Sequence, residues 1–307
     1  MSISHIRLSN WQAISIKGQD QTTYLNSQVT CDVAKLGEQD ATFGCHCDAK
    51  GKTWSLFYLM PVEQNFLLFQ KTSSIAASAQ ALQKFGVFSK VEIQAPTSEW
   101  KISALQGESL IQWLNKQGLA ETPLNQVTPI FNGYLCLMSQ DLGLFVRASD
   151  AELPAELAQL DQQDTAYFDA KVSQHVWPFI EVEHQSEYIP QMLNAHAIGA
   201  ISFKKGCYMG QETVARMRYL GKNKKASFGF SSEDPIELGS TLEIQAGSGW
   251  RRAGEVIHSC QLDQKTFGIA VLAADTNITT SIRVKDDSSK TVQLSALPYS
   301  LEYEESK

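Results

Sequence analysis

The sequence predicts an α+β protein, a mixed region of strands and helices ending near Lys225 and followed by a small all-β module. Three observations lead there. Segments of period-two alternation are interspersed with segments of helical spacing up to Lys225. Beyond it only short alternating segments remain, separated by turn residues. A chain of 307 residues, 43% of them hydrophobic and 19% charged, is long enough to bury a sizeable core in more than one domain.

Taken in order, Gly18-Gln19-Asp20 precedes a short helical stretch carrying Tyr24 and Leu25, with Asp20 placed to cap it. Thr42 to Met60 reads as two strands joined by a turn at Asp48-Ala49-Lys50-Gly51-Lys52, where Gly51 supplies the turn geometry. Phe66-Leu67-Leu68-Phe69 is a further strand. Ser73 to Phe85 has helical spacing, with Ser73 or Ser74 as its cap. Val87 to Ile93 and Trp100 to Leu105 read as extended. Glu108 to Gln117 reads as a helix stopped by Gly118. Gly133 to Met138 and Leu144 to Arg147 suggest a hairpin, and Ala151 to Leu160 a helix. After Lys225 come Ala226–Phe230, Thr241–Gln245, Arg251–His258, Phe267–Leu272, Ser281–Val284 and Thr291–Leu294, which read as a barrel or sandwich of about 80 residues. The expected division is therefore 1–225 and 226–307.

Composition removes several function classes. No stretch reaches the length of a membrane-spanning helix, and the first residues lack the apolar run of a signal peptide. A cytoplasmic protein without a membrane partner is expected. The six cysteines (Cys31, Cys45, Cys47, Cys136, Cys207 and Cys260) include no Cys-x-x-Cys pair, and their scatter argues against a disulfide framework. On a strand, Cys45 and Cys47 share a face and His46 points away. No fourth ligand is evident nearby, so no metal site is expected. The net charge of −7 excludes a generally basic nucleic-acid binder. The distribution is uneven, however: Lys204, Lys205, Arg216, Arg218, Lys222, Lys224 and Lys225 lie together with Glu212 as the acid among them, which suggests an anionic partner there or a solvated helix face.

The most informative stretch is Lys205-Gly206-Cys207-Tyr208-Met209-Gly210-Gln211-Glu212. It sets a cysteine beside lysines, between two glycines, one or two residues before a helix that begins near Gln211 with Val214, Met217 and Leu220 on one face. Cations and a helix N-terminus both favour a thiolate, and glycines let another group approach closely. An isolated cysteine is ordinarily a packing residue; these surroundings point to function.

Ile189-Pro190-Gln191, Asn194, Gly199, Ile201-Ser202-Phe203-Lys204 and this octapeptide together resemble the signature of the YgfZ family, folate-binding relatives of the glycine cleavage T-protein (aminomethyltransferase). Gly18-Gln19-Asp20 with Tyr24-Leu25, Gln28 and Thr30, then His46-Cys47-Asp48-Ala49-Lys50-Gly51-Lys52, Phe88-Ser89-Lys90-Val91 and Leu297-Pro298-Tyr299-Ser300-Leu301-Glu302 extend the resemblance over essentially the whole chain. It implies a T-protein-like fold: two interleaved α/β subdomains around a central, folate-sized opening, completed by a C-terminal β-barrel. It further implies tetrahydrofolate or a derivative as cofactor, and a role in supporting iron–sulfur enzymes or their assembly proteins. Methylthiolation of tRNA is one such process, which makes tRNA an indirect partner, and the family is also linked to control of replication initiation.

Site residues follow from the same resemblance. Trp11 matches a tryptophan that contacts folate, with packing on the first strand as the other reading. The second folate tryptophan falls at Phe168, which keeps a stacking face and loses the indole donor. Relatives carry Glu-Ala-Gly where this chain reads Gln174-His175-Val176. A carboxylate pairs with two adjacent pterin N–H groups and an amide cannot, a loss of about 1.5–3 kcal/mol, so folate binding that is weaker than in relatives, differently oriented or lost is expected. The T-protein's catalytic aspartate has no counterpart in Thr53-Trp54-Ser55-Leu56, which weakens glycine-cleavage chemistry. Cys207 is then the candidate reactive thiol, facing a sulfur species, an iron–sulfur intermediate or a redox partner. Lys204 and Lys205 lower its pKa or hold the tail of a polyglutamylated folate. Tyr208 belongs to the same binding loop. Gln211 and Glu212 orient it, or Glu212 caps its own helix. Arg216 and Arg218 bind an anion or line the helix. Three functions compete: a folate-binding accessory protein for iron–sulfur enzymes and tRNA modification, a tetrahydrofolate-dependent one-carbon transferase or demethylase, and a direct tRNA-binding module using the Lys204–Lys225 stretch.

Overall fold

The computed structural model describes residues 3–119, 122–221 and 223–303. The chain forms two compact units. The first comprises Met1–Gln28, Asp32–Phe43 and Phe57–Phe168, the second Val29–Cys31, Gly44–Leu56 and Asp169–Lys307. The units are thus interleaved in sequence, and residues 169–225 group with the C-terminal module.

The first unit contains a six-stranded sheet in the order Asp161–Gln163, Ser4–Arg7, Trp100–Gln106, Leu142–Ala148, Gly133–Ser139, Val127–Ile130. Ser4–Arg7 and Asp161–Gln163 pair in parallel, and the other described strand pairs of this sheet are antiparallel. Leu105, Leu135, Leu137 and Phe145 of this sheet form a core with Leu110 and Leu114 of the helix Leu110–Lys116. A five-stranded sheet runs Thr42–Cys47, Thr53–Val62, Asn65–Lys71, Trp11–Lys17, Glu92–Gln94. The unit boundary falls inside its first two strands. Asn65–Lys71 is buried along its whole length, which is why Phe66–Phe69 reads as an unbroken apolar run. Helix Ile75–Phe85 turns Ile75, Ala79 and Leu82 inward, at spacings that keep them on one face.

Several local expectations are corrected. The Asp20 carboxylate accepts a hydrogen bond from the Lys90 N–H at 2.8 Å, tying down a distant turn. Ser74 occupies the N-cap position, yet its hydroxyl donates to Lys71 O and makes no capping bond. Val87 to Lys90 is a turn, and only Glu92–Gln94 pairs as a strand; Phe88 is fully exposed at its tip. The helix expected over Ala151–Leu160 shrinks to Ala155–Ala158, since Pro154 cannot donate a backbone hydrogen bond to an earlier turn. Strands Ser4–Arg7 and Val127–Ile130 and the helix Thr165–Gln174 lack strong periodicity and were not anticipated.

In the second unit, the six alternating segments close into a barrel in the order Lys225–Ser232, Lys265–Ala273, Gly249–Leu262, Thr241–Ala246, Ile282–Val284, Thr291–Leu294. Closure removes free sheet edges and settles barrel over sandwich. Phe228, Phe230, Leu242, Val256, Leu272, Ile282 and Val292 fill it. Such a small barrel needs close backbone approach at its corners: a Cβ on Gly254 would lie 1.9 Å from Val271 O and 2.9 Å from Leu272 Cδ2. Gly254→Ala is therefore expected to lower stability by about 1–3 kcal/mol, read as a reduced urea midpoint at unchanged m-value.

Candidate functional site

The Cys207 loop lies in the second unit and is built on an anchored lysine. Lys205 is buried, and its ammonium donates to Val29 O at 2.8 Å and to Cys31 O at 2.5 Å. It also sits 5.2 Å from the Tyr208 ring centroid. Tyr208 is itself buried, and burial raises its phenol pKa, assisted by the nearby Cys47 and Cys45. Between these two anchors, Gly206 and Cys207 are exposed. The side-chain pattern explains the presentation: a cation that must be hydrogen-bonded to be buried and an aromatic ring hold the ends, and the chain between them projects outward.

The segment that receives Lys205 is held on both sides. Thr30 N–H donates to Cys45 O, Cys45 N–H donates to the Thr30 hydroxyl, and that hydroxyl donates to Ala200 O at 2.6 Å. Ser202 N–H donates to Thr30 O. Thr30 therefore connects strand Thr42–Cys47 to the chain leading into the loop.

The paired glycines have a specific reason. Gly51 and Gly210 have φ of 74° and 80°, in the left-handed region. A Cβ on Gly210 would lie 2.5 Å from Asp48 O and 2.8 Å from Gly51 Cα, and a Cβ on Gly51 would lie 2.6 Å from Thr213 Cβ. The group that approaches closely is thus the protein's own turn. That turn is fixed by Asp48, whose carboxylate accepts from the Lys50 and Lys52 N–H groups at 2.9 and 2.8 Å.

The helix that follows spans Gln211–Tyr219, with Gly210 at its N-cap. Cys207 lies farther from it than expected, beyond the first turn where the helix dipole acts. Val214 is buried, Met217 half-buried and Leu220 83% exposed, so the expected apolar face stops short of Leu220. Glu212 is exposed in the first turn, and Arg216 and Arg218 stand in the last, signs that suit the helix dipole. Gln211 is half-buried and Arg216 exposed. Arg218 packs its guanidinium 4.2 Å from the Phe203 ring centroid and 5.0 Å from that of Tyr303. Lys225 lies 5.6 Å over Tyr188. Lys204 and Lys224 remain exposed, and Lys222 lies outside the described residues.

The other residues of the signature hold neighbouring parts of the second unit together. The Gln191 amide donates to Val214 O at 2.7 Å, and the Asn194 amide exchanges hydrogen bonds with the Ser227 backbone at 2.7 and 3.0 Å. Asn194 has φ of 52°, a conformation that asparagine tolerates. The Tyr299 hydroxyl donates to Val176 O, which anchors the C-terminal Leu-Pro-Tyr segment.

Cys45, His46 and Cys47 are completely buried. Burial raises both thiol pKa values and lowers that of His46 to about 3, so His46 is neutral. The His46 ring meets Trp54 edge-on at 5.0 Å. Among the described residues no group of three or more His, Cys, Asp or Glu side chains is arranged to hold a metal ion. Cys207 is the exposed cysteine, Cys260 is half-buried and the others are buried.

The two aromatic residues assigned to folate lie in the first unit. Trp11 is 2% exposed, stacked on Phe69 at 5.0 Å and met edge-on by Phe168 at 5.0 Å. The Lys71 ammonium lies 4.4 Å from the Trp11 ring centroid. Phe168 is fully buried. Gln174 ends the helix that carries Phe168 and is exposed. Phe69 and Lys71 are not legible from the sequence as partners of Trp11, because strand pairing brings them together: Lys71 is the cross-strand partner of Trp11.

Lys205→Met keeps the length of the side chain and removes its donor. Loss of the charge-assisted bonds to Val29 O and Cys31 O is expected to cost at least about 1.5–3 kcal/mol, measurable as a lowered denaturation midpoint. A purely ligand-binding lysine would leave that midpoint unchanged.

Comparison with known proteins bears on the fold and the family. Residues 223–287 match the family described as "YgfZ, beta-barrel domain". The "tRNA-modifying protein YgfZ" of Colwellia psychrerythraea is 37% identical over 306 residues, covering 96% of this chain and 93% of that protein. The protein of the same name from Aliivibrio fischeri strain ES114 is 36% identical, covering 96% and 92%. Among solved structures, the glycine cleavage system aminomethyltransferase T from Bartonella henselae superposes with a TM-score of 0.71 at 13% identity, covering 98% of this chain and 87% of that one, which establishes a T-protein-like fold. With full-length identity at this level, a closed C-terminal barrel and the octapeptide loop in place, the chain belongs to the YgfZ family.

Proposed function

We propose that this protein is an accessory factor in tRNA modification, supporting iron–sulfur enzymes such as those that methylthiolate tRNA, with folate as its ligand. The observation that carries the reading is the mounting of Cys207: an exposed thiol on a short projection whose ends are pinned by Lys205 and Tyr208. Such a thiol is accessible to a large partner, whereas the buried Cys45 and Cys47 are not. Relatives named as tRNA-modifying proteins support the process.

A one-carbon transferase is disfavoured by the chemistry on hand. Thr53, Ser55 and Leu56 are buried and none is a carboxylate, so the position of the T-protein's aspartate offers no general base. Direct tRNA binding through the Lys204–Lys225 stretch is disfavoured by how its cations are used. Lys205 is bonded to carbonyls and Arg218 is stacked on rings, which leaves fewer charges to neutralise phosphates.

In a strain lacking the gene, methylthiolated adenosines in total tRNA are expected to fall and to be restored by the wild-type gene. Cys207→Ala should accumulate as folded protein yet fail to restore them; unchanged methylthiolation in the deletion strain would overturn the reading. The ligand is tested separately by titrating purified protein with tetrahydrofolate and following tryptophan fluorescence. If Gln174 stands where relatives place a pterin-binding carboxylate, Gln174→Glu regains a charge-assisted pair of about 1.5–3 kcal/mol and tightens binding roughly tenfold or more. Equal affinity for the two proteins would remove Gln174 from the folate site.

A further inference from the structure

A cavity of about 510 Å³ in the first unit is lined by Arg7, Lys101 and Arg147 and by no acidic side chain. We propose that it binds a phosphorylated small molecule of about mononucleotide size. None of these cations belongs to the Cys207 loop, so the inference goes beyond the accessory role, although Trp11, which the family resemblance assigns to folate, lines the same cavity.

Strand register produces the charge cluster. Ser4–Arg7 and Leu142–Ala148 both pair with Trp100–Gln106, Arg7 opposite Ser103 and Arg147 directly opposite Lys101. Residues 101 and 103 face the same side of their strand, so all three cations share one face. Like charges directly opposite on neighbouring strands repel and destabilise the pairing. Among the described residues neither Lys101 nor either arginine has a carboxylate partner; Arg147 donates to the carbonyls of Ala148 and Ala151. A bound dianion supplies the missing counter-charge.

Two residues of the same lining also carry buried polar atoms without a partner, His5 on the face of the cations and Trp100 on the other face of its strand. His5 is 6% exposed and Trp100 is 8% exposed. The Trp100 indole N–H has no acceptor, and His5 Nε2 has no hydrogen-bond partner. The other ring nitrogen of His5, Nδ1, is 2.8 Å from Gln162 Oε1. The amide nitrogen of Gln162 is committed to Leu157 O and Leu160 O, which fixes its oxygen toward His5 and makes Nδ1 the donor. Both atoms are shut off from solvent, and with Nδ1 the donor Nε2 is an acceptor, so the ligand is assigned by the three cations and the cavity they line rather than by these atoms. Burial, together with Arg147 and Arg7, lowers the His5 pKa, and a bound anion would oppose that shift.

The chemistry of the walls selects the ligand class. Two arginines and a lysine match the several oxygens and the double charge of a phosphomonoester better than a single carboxylate. Trp11, Trp100, Leu8, Ile102 and Leu153 give the rest of the cavity an apolar and aromatic lining, suited to an organic body attached to that phosphate.

The test is isothermal titration of the full chain with adenosine 5′-monophosphate, inorganic phosphate and adenosine at constant ionic strength. It is repeated for Arg7→Gln and Lys101→Gln, both at exposed positions, with circular dichroism checking that each variant is folded. Adenosine monophosphate is expected to bind at least tenfold more tightly than inorganic phosphate, and adenosine not at all. Each variant should lose at least tenfold in affinity for the monophosphate. In the absence of ligand, Lys101→Gln should melt no lower than wild type, because repulsion with Arg147 is relieved. The proposal fails if neither anion binds, if both variants bind as wild type does, or if adenosine binds as tightly as its monophosphate. Inorganic phosphate binding as tightly as the monophosphate would overturn the part assigned to the walls.

Discussion

The constraint on which the candidate site depends is the burial of one ammonium group. Lys205 is carried inside the second unit, where taking an unbonded charge out of water costs several kcal/mol. Its donors meet the carbonyls of Val29 and Cys31, residues far away in sequence that belong to the same unit. This explains why a three-residue excursion of the N-terminal part of the chain belongs to the C-terminal unit at all. Thr30, between those two carbonyls, bonds to Cys45, Ala200 and Ser202, so strand, excursion and loop form one hydrogen-bonded block.

Most of the octapeptide is then accounted for by packing. Lys205 and Tyr208 are buried anchors. Gly210 is required by contact with Gly51, in a conformation that other residues resist. Gln211 and Glu212 begin a helix. What packing leaves unexplained is the exposed thiol of Cys207, with its exposed neighbour Gly206, whose missing Cβ would meet no atom within 4 Å. A motif whose lysine, tyrosine and second glycine are structurally determined around an exposed pair behaves as a mount. The chemistry then resides in what is mounted, which is why the same residues are informative about both fold and function.

The barrel was legible because each of its strands alternates and is bounded by turn residues; all six segments were located, with ends shifted by a few residues. The hairpins around Asp48–Lys52 and Gln140–Asp141 were legible for the same reason. The helix expected over Ala151–Leu160 is cut back at Pro154, and of Val87–Ile93 only the end pairs as a strand, because Val87 and Phe88 are exposed at a turn. In the site, the sequence placed Cys207 in a glycine-flanked loop before a helix, and the loop is there. It did not reveal that Lys205 is aimed at carbonyls, since that depends on a segment more than a hundred residues away, nor that Trp11 is packed between Phe69 and Phe168.

Charge shows most sharply how linear and spatial readings diverge. The stretch from Lys204 to Lys225 is the densest run of cations in the sequence, yet folding commits Lys205 to carbonyls, Arg218 to aromatic rings and Lys225 to Tyr188. Arg7, Lys101 and Arg147 are scattered through the sequence and form no motif. Antiparallel register brings them to one face of one sheet with no acid among the lining of the cavity beside them. A run of charges along a chain costs little when side chains splay into water. Cations placed opposite one another on paired strands start closer together, and although Arg7 and Lys101 are exposed, Arg147 is half-buried and held by carbonyls, so part of the repulsion must be tolerated or neutralised. The cluster of Arg7, Lys101 and Arg147 is therefore set by strand pairing, and its location is invisible until the register is known.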